Sequence, residues 1–276
     1  MCTAPQLAAT PAGHPALETL RSHRSIRHFT DQPVTDGELE AIISTAQRAS
    51  TSSNLQSYSV IVVRDPERKR RLSELCGNQT QVADCPVFLA FCADLNRAKV
   101  VCEASGYQFS ARFIENLLLA VVDATIFGQT ALAATEAIGL GGCLIGAARN
   151  HPFEIAELLK LPPLVFLVFG MTLGHPRSEK VSPLRPRLSL DGVMHREHYD
   201  ASQWATVHAA YDAVMRDTGI YDGRRIDLSK RVAGWQDRTP EGEYGWIEHS
   251  ARRWIDPAAQ RRAVRPFLDQ QGFGFD

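Results

Sequence analysis

His23-Arg24-Ser25-Ile26-Arg27-His28-Phe29 gathers two arginines, two histidines and a hydroxyl in a short run. Guanidinium forks carry a fixed charge and bind phosphate bidentately. Ser25 adds a small donor between Arg24 and Arg27. The bulk charge is nearly balanced, with 30 Lys+Arg against 31 Asp+Glu and a formal net charge of −1. A local cationic cluster on a neutral chain reads as a compact anion site rather than a polyanion-binding surface. The plainer alternative is that these residues cap the carbonyls of the short apolar segment before them.

Three further clusters carry comparable potential. Ser50 to Gln56 is a polar loop rich in donors. Gly139 to Gly146 is glycine-rich. Arg185-Pro186-Arg187 holds two cations which, in an extended backbone, point the same way; its alternative is a solvated basic loop. The glycine run follows a helix and enters a strand, the reverse of the dinucleotide fingerprint, and it lacks phosphate-loop spacing. No nucleophile elbow or zincin motif occurs, so hydrolysis and metal catalysis lose weight. No metal site is expected.

Elements must hold these clusters in place. Thr35-x-x-Glu38 is a capping box that opens an amphipathic helix over residues 36–49. Tyr58–Val63 reads as a strand. Asp65-Pro66 opens a charged helix to about Leu75, and Gly77-Asn78-Gln79 forms a turn. Val87–Cys92 is apolar throughout, as in a strand covered on both faces. Residues 110–138 read as one long helix, broken by charges and so a buried central helix rather than a membrane span. Leu140–Gly146 is a glycine-rich turn passing into a short strand, His151-Pro152 starts a helix, and Val165–Leu173 is a long strand. Beyond Gly174 come a proline-marked extended segment, helices over 202–216 and 258–270, and a stretch at 217–256 without clear periodicity. The 276 residues, 44% of them hydrophobic, can bury a sizeable core. The six cysteines form neither zinc spacing nor a disulfide framework. No basic region followed by an apolar run opens the chain, so a cytoplasmic protein is expected.

The ordered set of H-R-S-I-R-H-F, S-T-S-S-N-L-Q, G-N-Q, the long apolar helix, G-L-G-G-x-x-I-G and R-P-R resembles the FMN-dependent nitroreductase family, in particular its oxygen-insensitive NADPH nitroreductase and flavin reductase subgroup. The resemblance covers residues 17–190 and is thinner over 200–276, where Arg265-Pro266-Phe267 matches. It implies an α+β three-layer sandwich with a central, mostly antiparallel sheet and an intertwined homodimer. It implies one domain over 1–276, with a core at 16–190 and an extension at 191–276 packing on the core or on the partner subunit.

By the same resemblance His23, Arg24 and Ser25 hold FMN, and Arg27 lies near its pyrimidine edge. Thr51 and Ser53 reach FMN from the partner subunit, Gln79 bonds the ring, and Ile145 and Gly146 run beside it. Arg185 and Arg187 complete the phosphate clamp, with Arg185 where relatives usually have Lys. Asn54 borders the substrate pocket, and Arg224, Arg225 and Arg265 are candidates for the 2′-phosphate of NADPH. No residue of the chain is assigned a catalytic step, because FMN carries the chemistry.

The implied activity is two-electron, ping-pong transfer from NADPH or NADH through FMN to nitroaromatic, quinone or flavin acceptors. Its partners are small molecules, with no nucleic acid and no membrane. The alternatives are a specialised flavin-modifying or dehydrogenating member and a non-catalytic flavin-binding module.

Overall fold

The computed structural model describes residues 13–226, 244–255 and 260–276. Their contacts divide into two units, split between residues 184 and 185, with residues 261–276 returning to the first.

The first unit is built on one four-stranded sheet. Its strands are β1 (Tyr58–Val63), β2 (Val87–Asp94), β3 (Gly141–Ile145) and β4 (Val165–Gly174), in the order β1-β2-β4-β3 and antiparallel at every pairing. Alternation along a strand sends neighbours to opposite faces. On β2, Leu89, Phe91 and Ala93 enter one core cluster while Phe88, Ala90 and Cys92 enter the other. The first cluster is covered by α2 (Asp36–Ala46), α6 (Ile114–Ala137) and α10 (Val264–Gln271). The second is covered by α3 (Pro66–Leu75), α4 (Thr80–Asp84) and α7 (Pro152–Leu159). The result is the helix–sheet–helix sandwich of the α+β reading.

One irregularity interrupts the register. Phe91 pairs with Phe169 but Cys92 pairs with Leu167, which leaves Val168 without a partner on β2. The extra residue reverses the alternation, so Val168 and Phe169 both face the first cluster while Val165 and Leu167 face the second.

Local signals explain most elements. The Thr35 hydroxyl accepts from Glu38 N, and the Glu38 carboxylate accepts from Thr35 N at 2.8 Å, so the capping box closes as expected. Asp65 caps α3, with Pro66 in its first turn. α6 has the length and hydropathy of a membrane span, yet Ala120, Ala124, Phe127 and Ala131 make a fully buried stripe against the sheet. This helix starts at Ile114 rather than 110, because Phe113 is extended and its backbone N–H donates to the Asn116 side chain.

Two short helices, α4 and α5 (Asn96–Ala104), occupy segments the sequence left unassigned. Before α2, α1 (Pro15–Arg21) forms the entry turn.

The second unit contains α8 (Trp204–Asp217) and α9 (Trp246–Ile255). α9 corrects the reading of 217–256 as aperiodic. The helix expected over 258–270 begins only at Val264, and residues 256–259 lie outside those described.

Candidate functional site

Residues 23–28 run without helix or strand alongside the sheet. Ile26 N donates to Gly142 O at 2.9 Å, and Arg177 N donates to His28 O at 3.0 Å. The Ile26 side chain is buried against Gly141, where a Cβ would stand 2.5 Å from Ile26 Cγ1, so only glycine permits this approach. Ile26 faces inward, and alternation turns Ser25 and Arg27 the other way. Both act on Cys143: burial raises its thiol pKa, while Arg27 and a hydrogen bond with Ser25 pull against the rise.

His23 Nδ1 lies 2.6 Å from Glu136 Oε1 near the C-terminal end of α6. Arg24 and Arg27 donate to Ser22 O and Ser25 O at 3.0 and 3.3 Å, short local contacts that leave most of each fork uncommitted to the backbone. Arg27 is exposed.

A Cβ on Gly77 would stand 3.7 Å from the Asn150 amide nitrogen, which puts the Gly77–Gln79 turn beside the end of the glycine-rich segment. Gln79 is occupied within its turn, donating to Cys76 O at 2.9 Å and accepting from Gln81 Nε2 at 2.7 Å. Ile145 is buried in the second cluster, and Gly146 opens a short 3-10 turn to Arg149.

Thr51, Ser53 and Asn54 belong to a separate place. Their loop folds through three non-glycine residues in the left-handed region, Ser53 at φ 48°, Asn54 at 56° and Gln56 at 52°. Such residues carry strain and persist only where neighbours fix them. Here the neighbour is Asp123 of α6, 1% exposed, whose two oxygens accept from Ser52 N and Ser57 N at 3.0 Å each. Thr51 Oγ1 closes the loop by accepting from Gln56 N at 3.0 Å. Asp123 and Glu136 stand 13 residues apart on α6, about 20 Å along its axis at roughly 1.5 Å per residue. Within one chain, the serine loop and the His23 segment are therefore distinct places.

A shallow groove runs beside the serine loop, lined by Ser50, Thr51, Leu118, Val122 and Ile126. Leu118, Val122 and Ile126 recur at i, i+4 and i+8 and are 49, 52 and 38% exposed.

In the second unit, Tyr211 donates to Pro186 O at 2.9 Å, which fixes the R-P-R segment on α8 while Arg185 and Arg187 stay exposed. Burial raises the Tyr211 phenol pKa, and these two arginines pull it down. Arg224 lies over the Tyr221 and Tyr244 rings, 5.6 and 5.8 Å from their centroids, and donates to His249 Nδ1 at 3.1 Å. Burial and the cations Arg224, Arg253 and Arg252 lower the His249 pKa. Arg225 is exposed, and its carbonyl accepts from Arg252 at 3.1 Å. In the first unit, Arg265 pairs with Asp269 at 3.1 Å and covers Phe275.

Four residues carry no functional mark in the sequence. Asp123 and Glu136 stand out there only as rare carboxylates of an apolar helix. Arg149 and Arg261 gave no signal, being ordinary surface types in loops. Arg149 donates to Val168 O, and Arg261 Nε donates to Asn150 Oδ1 at 3.1 Å. Among the described residues no group of three His, Cys, Asp or Glu is placed to hold a metal.

Comparison with known proteins adds to this geometry. Residues 20–175 match the model of the nitroreductase family, and residues 185–276 match that of the nitroreductase family C-terminal domain. An FMN reductase [NAD(P)H] of Bacillus subtilis is 43% identical over 261 residues, 93% of this chain and 97% of the relative. An oxygen-insensitive NADPH nitroreductase of Salmonella typhimurium is 45% identical over 185 residues, 67% of this chain and 75% of that protein. The solved NADPH:FMN oxidoreductase of Vibrio harveyi, complexed with NAD+, superposes with a TM-score of 0.78 at 31% identity, covering 94% of this chain and 98% of that one.

Proposed function

We propose, from the premise that this chain belongs to the nitroreductase family, that it is an FMN-dependent NAD(P)H oxidoreductase acting on small-molecule acceptors. The observation that carries the reading is the His23–Arg27 segment locked against β3. It carries two guanidinium forks, an imidazole and a hydroxyl along one short run that is fixed by the Ile26–Gly142 hydrogen bond, where Gly141 leaves room for the Ile26 side chain. That donor set suits a phosphate and a polyol, so the residues present fit FMN.

When bound, FMN supplies the two-electron chemistry, taking hydride from NAD(P)H and passing both electrons to a nitroaromatic, quinone or flavin acceptor. The chain supplies position and charge. His23, held by Glu136, and Arg24 and Ser25 bind the phosphate and ribityl. Arg27 places a cation at the electron-rich edge of the ring, where it favours added negative charge. Gln79 bonds the ring, and Ile145 and Gly146 offer it a flat backbone edge. For Arg185 and Arg187 at the phosphate, for Asn54 at the acceptor, and for Arg224, Arg225 and Arg265 at the donor's 2′-phosphate, the proposal stands on the family resemblance. So does the single-domain reading of residues 1–276.

The proposal includes a cytoplasmic homodimer. The outward stripe of Leu118, Val122 and Ile126 supports an apolar partner face. The roughly 20 Å of α6 between Asp123 and Glu136 supports giving Thr51 and Ser53 to the cofactor of the partner subunit.

The visible spectrum of purified protein, before and after NADPH, tests the reading. Oxidised flavin bands near about 370 and 450 nm are expected, with the second bleached by NADPH and restored by an acceptor. Colourless protein that takes up no FMN overturns the proposal. Bound FMN without NADPH or NADH oxidation identifies a flavin-binding module instead.

A further inference from the structure

Arg224 and Arg225 are neighbours in sequence, and one helix holds both. His249 and Arg252 lie at i and i+3 on α9 and so share a face. His249 Nδ1 accepts from Arg224 Nη1 at 3.1 Å, and Arg252 donates to the Arg225 carbonyl at 3.1 Å. The helix is itself fixed. Asp212, buried on α8, accepts from Ile247 N at 2.8 Å in the first turn of α9. A side chain on Gly245 would run into the Asp212 carboxylate, so glycine is what permits this approach.

A histidine at this place has a physical reason. A guanidinium only donates, so Nδ1 is the acceptor and the ring proton sits on Nε2, which leaves the ring neutral. Burial lowers the pKa of His249, and the cations Arg224, Arg253 and Arg252 lower it further. The Tyr221 and Tyr244 rings stand 5.3 and 6.2 Å from the imidazole, and the Tyr244 hydroxyl is 3.2 Å from Nδ1. Arg224 lies over the same two rings. Among the described residues, these contacts join Arg224 to neutral groups. Two carboxylates, Asp217 and Asp222, line the same depression as Arg224. A guanidinium without its anchor would be drawn to one of them, and the two charges would cancel. A neutral acceptor holds the fork and leaves its charge for an incoming anion.

We propose that His249 is a positioning residue that sets donor preference, holding Arg224 ready for the 2′-phosphate of NADPH. The inference rests on the assignment of Arg224 to that phosphate in the functional reading above.

Two substitutions separate this role from ring packing. His249→Asn keeps an acceptor in the place of Nδ1 and removes the ring. His249→Phe keeps a ring beside Tyr221 and Tyr244 and removes the acceptor. In the FMN-loaded enzyme, His249→Phe should lower the ratio of kcat/KM for NADPH over NADH about tenfold, through KM for NADPH. His249→Asn should stay within about threefold of wild type. Calorimetric titration with 2′,5′-ADP and 5′-ADP, equal in phosphates and different in their placement, should show the same loss and the same rescue without turnover. Arg224→Gln sets the lower limit that His249→Phe should approach. If Arg224→Gln leaves the preference unchanged, the assignment of Arg224 falls and the positioning role with it. If Arg224→Gln lowers the preference while His249→Phe does not, the ring serves packing and only the present inference is overturned. Should His249→Phe not fold, His249→Asn must keep the preference that Arg224→Gln loses, and an Asn variant that loses it overturns the inference.

Discussion

At its C-terminal end α6 gives Glu136 to His23, and the extended segment that follows is sealed onto the sheet by Ile26. In its N-terminal half the same helix turns Leu118, Val122 and Ile126 outward, beside a loop bent through three left-handed residues and tied by Asp123. One end places its polar groups against its own chain. The other presents polar and apolar groups together to the outside. A monomeric enzyme gains nothing from an exposed aliphatic stripe next to a strained donor loop, because the stripe leaves apolar area in water and the strain lowers stability. Both features make sense if the second end belongs to another copy's site. On the proposed homodimer, the contrast is between a segment held by its own chain and a loop and stripe offered outward.

Charging the outward stripe should break this contrast most. Val122→Asp puts a carboxylate where a partner would bury it, and dimerisation should weaken by about a hundredfold or more. Light scattering at micromolar protein should then report the monomer mass, with bound FMN lost alongside. A variant that keeps the wild-type mass would show that the stripe meets no partner. At the inward end, Arg27→Ala removes a fork without touching the core, and FMN affinity should fall about tenfold at unchanged mass. Fluorescence titration measures this, and unchanged affinity together with an unchanged reduction rate would remove Arg27 from the site.

Asp123→Ala should act between these extremes. It leaves the Ser52 and Ser57 N–H groups without their acceptor inside the fold, a loss of about 2–3 kcal/mol, visible as a lower urea midpoint. A midpoint equal to wild type would mean that the loop holds its own shape. Gly146→Ala is the smallest and most selective change. Its Cβ meets only ordinary contacts at 3.6 and 3.7 Å. Stability should stay within about 0.5 kcal/mol while FMN affinity falls a few-fold, since the methyl occupies the edge assigned to the ring. A loss of stability without a loss of FMN affinity would move the cofactor away from this turn.

The sequence revealed what is settled locally. The Thr35–Glu38 box, the Asp65-Pro66 start and the apolar runs of β2 and β4 are each fixed within a few residues, and each formed as expected. α9 was invisible because it is not held by an apolar stripe. Its buried side chain is Glu248, and its contacts are ring on ring, such as Trp246 with Tyr211 and His208. The chemical types of the site were equally legible: cations, hydroxyls and glycines in order along the chain. Its supports were not. His23 finds Glu136 across 113 positions, Ser52 finds Asp123 across 71, and Asn150 finds Arg261 across 111. No local pattern marks such pairs, because the fold alone brings them together.

The unpaired residue of β4 has a consequence outside the sheet. Removing Val168 would give a tidier strand with one uninterrupted ladder, and by packing alone it would look like an improvement. It would also take away the carbonyl that sets where Arg149 stands. Strand length in the hydrophobic interior and the location of a charge at the surface are thus inherited as a single trait. Any redesign that regularises the first must find a new anchor for the second.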